Sequence, residues 1–82
     1  MVRVLFFGRL ADAFGRERAA TLASHSESVR MLTERIASKE PALMSALSAT
    51  RVRFAVGDEI VPDDRIVADG DEISVLPPFS GG

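Results

Sequence analysis

The sequence predicts an α+β domain in which a mixed sheet of about five strands packs on one main helix and some shorter ones, and three observations carry that expectation. Apolar residues alternate near both ends of the chain. One segment near the middle carries an apolar stripe at helical spacing. The elements run strand, short helix, strand, long helix, strand, short strand, strand. Hairpin-linked strands followed by a helix that crosses back to further strands leave the helices on one side of the sheet.

Residues 2–7 (VRVLFF) are β-branched and aromatic, with Val2, Val4 and Phe6 on one face and Leu5 and Phe7 on the other, which suits a central strand. From Arg9, the residues Leu10, Ala13 and Phe14 recur at helical spacing and Gly15 follows as a helix terminator, so a short helix is expected over 9–14. Residues 17–23 form a weaker strand candidate, Ala20 and Leu22 sharing a face, because alanine fits strands poorly. Ser28 suits an N-cap. Val29, Leu32, Thr33 and Ile36 then line one side of the main helix and Arg30, Glu34 and Arg35 the other, while Pro41 places its end near Ser38. Leu43, Met44 and Leu47 make a second short apolar stripe. Residues 51–56 alternate with Val52, Phe54 and Val56 inward, and Gly57-Asp58-Glu59 turns into a short strand at Ile60-Val61. Pro62-Asp63-Asp64 and Asp69-Gly70-Asp71 are further turn signals, and the last strand runs from Ile73 to Leu76. The domain is expected over 1–76, with 77–82 an extended tail.

Eighty-two residues, 46% of them hydrophobic, suffice for one small core and leave no room for a second domain. The absence of cysteine excludes a disulfide framework, a thiolate metal site and a catalytic thiol, and suits a cytoplasmic protein. His25 stands alone in the polar stretch Ser24-His25-Ser26 and reads as a solvated loop residue; one imidazole builds neither a metal site nor a base with its orienting partner. Ten basic against twelve acidic residues give a net charge of −2, with Lys39 the one lysine and no basic cluster for nucleic acid. No apolar run approaches the roughly 20 residues that span a membrane, and Arg3 interrupts the apolar start where a signal peptide would lie. A cytoplasmic protein with no membrane, metal or bound cofactor is expected.

The most informative segment is the ending, Leu76-Pro77-Pro78-Phe79-Ser80-Gly81-Gly82. Two glycines lack Cβ atoms, so they thread a narrow slot and present a carboxylate to another enzyme. The alternative is a frayed end, since termini are commonly disordered, but a chance Gly-Gly terminus arises in only roughly one chain in 200. Pro77 and Pro78 hold φ near −65° and carry no N–H, so the tail leaves the sheet extended and pre-stiffened, and a stiff tail loses less entropy on capture. Residues 77–82 reach about 20 Å, enough to enter a buried site on a partner, and Phe79 gives the tail an apolar anchor. A carboxylate is a poor electrophile and needs activation, most simply as an acyl-adenylate made from ATP; a sulfur donor attacking it yields a thiocarboxylate. Without cysteine the chain cannot carry sulfur as a persulfide, which leaves the C-terminal carboxyl as the one reasonable attachment point.

The opening strand, the Asp69-Gly-Asp-Glu-Ile motif running into the last strand and above all Leu76-Pro-Pro-Phe-Ser-Gly-Gly82 closely resemble the small subunits of molybdopterin synthase, over the whole chain and in the same element order. The resemblance implies a β-grasp, ubiquitin-like fold and a sulfur carrier for molybdenum cofactor biosynthesis. It implies that an activating partner resembling ubiquitin-activating enzymes uses ATP to adenylate Gly82, that Gly82 becomes the thiocarboxylate, and that the tail, with Gly81 beside the reacting residue, enters the large synthase subunit in what is expected to be a heterotetramer. There the sulfur attacks a cyclic pyranopterin monophosphate. The carrier is then a sulfur-donating, non-catalytic subunit, and acid-base groups belong to the large subunit. By position, Phe7, Ile60 and Leu76 match an apolar docking surface for both partners; all three can be ordinary core, but alternation opposite Phe6 and Val75 places Phe7 and Leu76 away from the main-helix side of the sheet, which favours a partner surface.

Sulfur carriers of thiamine or cysteine formation share the Gly-Gly end and the fold, although Pro77-Pro78 and the length favour the molybdopterin assignment. A ubiquitin-like protein modifier would form isopeptides through the same Gly82 adenylate. A passive β-grasp interaction module with an incidental tail is the third alternative.

Overall fold

Val2, Val4 and Phe6 are buried while Arg3 between them is exposed, so the period-2 pattern of the opening segment is realised as a strand with one face on the core. In the computed structural model, which describes residues 1–78, this strand β1 (Val2–Phe6) is followed by α1 (Arg9–Phe14), β2 (Glu17–Ala20), α2 (Val29–Ala37), α3 (Pro41–Ala49), β3 (Arg53–Val56), β4 (Glu59–Val61) and β5 (Glu72–Leu76). The strands form one five-stranded sheet in the order β2-β1-β5-β3-β4. Only β1 and β5 pair in parallel; the other three pairings are antiparallel, so the sheet is mixed, as expected.

The inner face carries Val2, Val4, Phe6, Phe54, Val61, Ile73 and Val75. Against it lie Val29 and Leu32 of α2 and Leu43 of α3, each fully buried. Burying a side chain of this size contributes about 1.5–3 kcal/mol, so this single layer contact dominates stability. Ser28 caps α2 as expected, its side chain accepting from the Met31 N–H at 3.1 Å, and Ser38 is its C-cap. Pro41 opens α3 at the first helical position, where its missing N–H costs nothing. The stripe at Leu43, Met44 and Leu47 is therefore a full helix.

Three boundaries differ from the sequence pattern. β1 stops at Phe6, because Gly8 turns the chain with φ +60°. β2 stops at Ala20 instead of Ala23: the Thr21 carbonyl is taken by the Arg35 guanidinium at 2.5 Å and the Ala23 N–H by the Glu27 carboxylate at 2.9 Å, so side chains replace the ladder. β3 begins at Arg53, not Arg51, and Val52 and Val56 are only half-buried, whereas Ala55 on the opposite face is 7% exposed. In α1, Leu10 is buried and Phe14 half-buried as the spacing requires, but Ala13 is exposed and Ala11 packs on the core instead.

Candidate functional site

The outer face of the sheet, away from α2, is set by strand register. Leu5 pairs with Ser74, Ser74 with Ala55 and Ala55 with Ile60, so these four lie in one row across β1, β5, β3 and β4. The next row holds Leu76 beside Arg53, and the register that pairs Phe6 with Val75 brings Phe7 to the same end. Phe7 is 42% exposed and Ile60 55%, large apolar side chains in water, and Leu76 is half-buried. Three strand spacings separate Phe7 from Ile60, about 14 Å, so the two bracket an apolar strip rather than a single contact. Exposure on this scale is not what a core residue shows.

At the opposite end of the same face the sheet is charged and internally paired. Arg3 donates to Glu17 at 2.5 and 3.2 Å and to Glu72 at 2.9 Å. The hydrogen bond to Glu17, then the charges of Glu17 and Glu72, hold the guanidinium above its ordinary value. Close by, the N-terminal ammonium pairs with Asp69, which keeps that carboxyl below its usual range. The Asp69-Gly70-Asp71 turn is built for this place: Gly70 has φ +90° and Asp71 accepts from the Ala68 N–H at 2.8 Å.

The tail leaves from the middle of the sheet, because β5 lies between β1 and β3 and its C-terminal residue Leu76 is followed by Pro77. Pro77 is half-buried against Gly8: a Cβ on Gly8 would stand 3.1 Å from the Pro77 Cγ, and Gly8 already has φ +60°. The glycine is thus required twice, by backbone conformation and by the proline lying on it. Pro78 is exposed. Phe79, Ser80, Gly81 and Gly82 lie outside the described residues. Beside the exit, a shallow groove runs between Leu5, Phe7 and Gly8 on one side and Ala11, Asp12 and Arg16 on the other.

The sequence matches the ThiS family over residues 4–82. The chain belongs to the ThiS family. Within it, the chain is 30% identical to the molybdopterin synthase sulfur carrier subunit of Escherichia coli, the alignment covering 100% of both. By homology this ThiS-family chain belongs with the sulfur carrier subunits of molybdopterin synthase. Its fold is the ubiquitin-like β-grasp: SAMP1 from Haloferax volcanii superposes with a TM-score of 0.80 over 99% of this chain and 98% of that one, at 23% identity. Subunit 1 or 2 in the solved complex of the two subunits of molybdopterin-converting factor from Helicobacter pylori matches with a TM-score of 0.69 and 26% identity, over 99% of this chain and 97% of that one.

Among the expected site residues, the ThiS-family fold therefore brings Phe7, Leu76 and Pro77 to one end of the sheet and puts Ile60 on the same face at the edge strand. His25 is exposed in the loop after β2, and the described residues contain no group of side chains that could hold a metal ion. No helix among them is long and apolar enough to cross a membrane. Two features have no signal in the sequence. Glu27 is buried, 2% exposed, and accepts from Arg35 at 2.8 and 3.0 Å as well as from the Ala23 N–H. Arg18 on the inner face of edge strand β2 pairs with Glu40 and lies 5.9 Å from the centre of the Phe6 ring. Both tie loops to the core from positions far apart in the chain.

Proposed function

We propose that Gly82 is the sulfur-bearing residue of this carrier, and that the domain behind it is a handle gripped first by an activating enzyme and then by the large subunit of molybdopterin synthase. ATP converts the terminal carboxylate into an acyl-adenylate with release of pyrophosphate; a sulfur nucleophile then displaces AMP and leaves a thiocarboxylate. In the synthase that sulfur attacks a cyclic pyranopterin monophosphate, and water returns the glycine to a carboxylate. A dithiolene contains two sulfurs and each carrier brings one, so two loaded carriers serve each product.

The observation that carries this reading is the exit of the tail. The chain leaves the central strand at Leu76 and rests on Gly8 through Pro77 beside the exposed Phe7, so a partner seated on the apolar strip meets the chain where residues 77–82 begin. Holding the first tail residue reduces the entropy lost when the remainder is captured. Gly81, Ser80, Phe79, Pro78 and Pro77 enter the partner's slot with Gly82 in this reading, and Phe7, Ile60 and Leu76 form the apolar contact with both partners. The chain binds no cofactor of its own, and ATP is held by the activating enzyme. The relative from Helicobacter pylori is found in a complex of subunits 1 and 2, which supports a large subunit as the partner here. Deleting Gly82 tests the reading. Molybdopterin formation in a reconstituted synthase is expected to vanish while the thermal unfolding curve stays unchanged; a normal yield from the truncated chain would contradict it.

A further inference from the structure

Five of the nine arginines, Arg3, Arg18, Arg30, Arg35 and Arg65, have carboxylate partners within the fold. The other four, Arg9, Arg16, Arg51 and Arg53, are all exposed and none has an ion pair among the described residues. These four are scattered along the sequence, yet the fold gathers them at one place. Arg53 pairs in register with Leu76, the last residue before the tail. Arg51 stands two residues before Arg53. The Arg16 carbonyl accepts from the Phe6 N–H at 2.8 Å, at the end of β1. Arg9 opens α1 directly after the glycine on which Pro77 rests. Asp12 and the Arg3-paired Glu17 line the groove with Arg16, and the Arg30-paired Asp63 lines a surface pocket with Arg51; these acidic groups offset the cluster only in part.

The far end of the sheet has the opposite sign. Val56 pairs with both Glu59 and Ile73, which puts Asp58 and Glu59, exposed and without an ion pair among the described residues, at the end of β5 away from the tail. A chain of net charge −2 thus presents four unpaired guanidinium groups where its tail emerges. Isolated exposed charges add little to the stability of the domain itself. At the rim of an apolar contact, however, they orient an approaching partner and reject surfaces of like sign.

We propose that Arg9, Arg16, Arg51 and Arg53 form the charged rim of the docking surface, and that the large synthase subunit presents carboxylates around the mouth of the slot that takes the tail. This rests on the reading of residues 77–82 as a tail that enters that subunit. The ring turns the carrier so that the tail faces the slot before the apolar strip makes contact, and it acts on the rate of association more than on the lifetime of the complex.

Stopped-flow association of the unloaded chain with purified large subunit tests this. For the unaltered chain, association is expected to slow steeply as NaCl is raised from low to physiological strength. The variant Arg9→Gln/Arg16→Gln/Arg53→Gln is expected to associate about tenfold more slowly at low salt and to lose most of the salt dependence. A second variant, Thr21→Glu/Ser24→Glu/Ser26→Glu, makes the same change in net charge on exposed positions at the far end and is expected to associate at nearly the unaltered rate. Salt-independent association of the unaltered chain, unchanged association of the arginine variant, or equal slowing of both variants would each overturn the proposal. Sulfur donation is read separately as molybdopterin yield at saturating carrier. A chain that docks in this salt-dependent way but yields no product refutes the tail reading alone, and a chain that donates sulfur but whose association rate ignores the arginine substitutions refutes the docking proposal alone.

Discussion

At the end of the sheet near Met1 most charges are answered: the N-terminal ammonium by Asp69, Arg3 by Glu17 and Glu72, Arg65 by Asp71, and Arg35 by the buried Glu27. At the end where Leu76 leads into Pro77, Phe7 stands in water and Arg53 has no partner among the described residues. The first end spends its polar groups on loops that would otherwise fray, and the second leaves apolar and cationic groups unmatched. In an 82-residue domain with a small core, exposed apolar surface is a cost to solubility unless something covers it. The contrast separates residues whose loss should be felt in folding from residues whose loss should be felt in binding.

The sharpest break of that contrast is Phe7→Asp. A charge introduced at the centre of an interface must be desolvated, so affinity for the large subunit is expected to fall by about 2–4 kcal/mol in calorimetric titration, with the urea midpoint of the free chain unchanged. A large loss of stability would instead make Phe7 a core residue. Next in size is Glu27→Gln, which keeps the shape and removes the charge. Hydrogen bonding from Arg35, with a smaller contribution from the Ala23 N–H, outweighs burial and holds the Glu27 carboxyl below its ordinary range. A lowered folded-state pKa means that its stabilisation is complete above the unfolded value of about 4.3 and disappears as pH falls through the folded value. The variant should unfold with about 1–3 kcal/mol less free energy at pH 7 and lose less stability than the unaltered chain as pH drops below 5; parallel pH profiles would contradict the assignment. The smallest effect is at the glycine beneath the first proline after β5. Gly8→Ala forces a Cβ into φ +60° and onto Pro77, and should lower stability by about 1 kcal/mol and shift the NMR resonances of Leu76 and Pro77. An unchanged melting temperature would show that neither constraint holds.

Most of the fold was legible because the local signals agree. Alternation at Val2, Val4 and Phe6, the Ser28 cap with its helical stripe, and Gly57 at the β3–β4 turn each lead to the element observed. The outward placement of Phe7 and Leu76 followed from the same alternation. What could not be read depends on contacts between distant positions. Residues 21–23 have a strand pattern, but Arg35, 14 residues beyond Thr21, and Glu27, 4 residues beyond Ala23, capture their backbone groups, and an alternating strand pattern carries no sign of either side chain folding back. Val67, 2% exposed, belongs to the core through a segment that looks like loop, where Val67 donates to the Glu27 carbonyl and Ile66 bridges to Ser28. The arginine ring is hidden for the same reason: positions 9, 16, 51 and 53 make no basic run, and only the register of β1, β5 and β3 brings them together.

The central claim is that the sulfur sits on Gly82, and the intact mass of the chain tests it most directly. After incubation with its activating enzyme, ATP and a sulfur source, the free chain should appear with one oxygen replaced by sulfur, the change mapping to the peptide that ends in Gly82. An unmodified chain, or a chain joined through Gly82 to lysines of other proteins with no thiocarboxylate form, would contradict it.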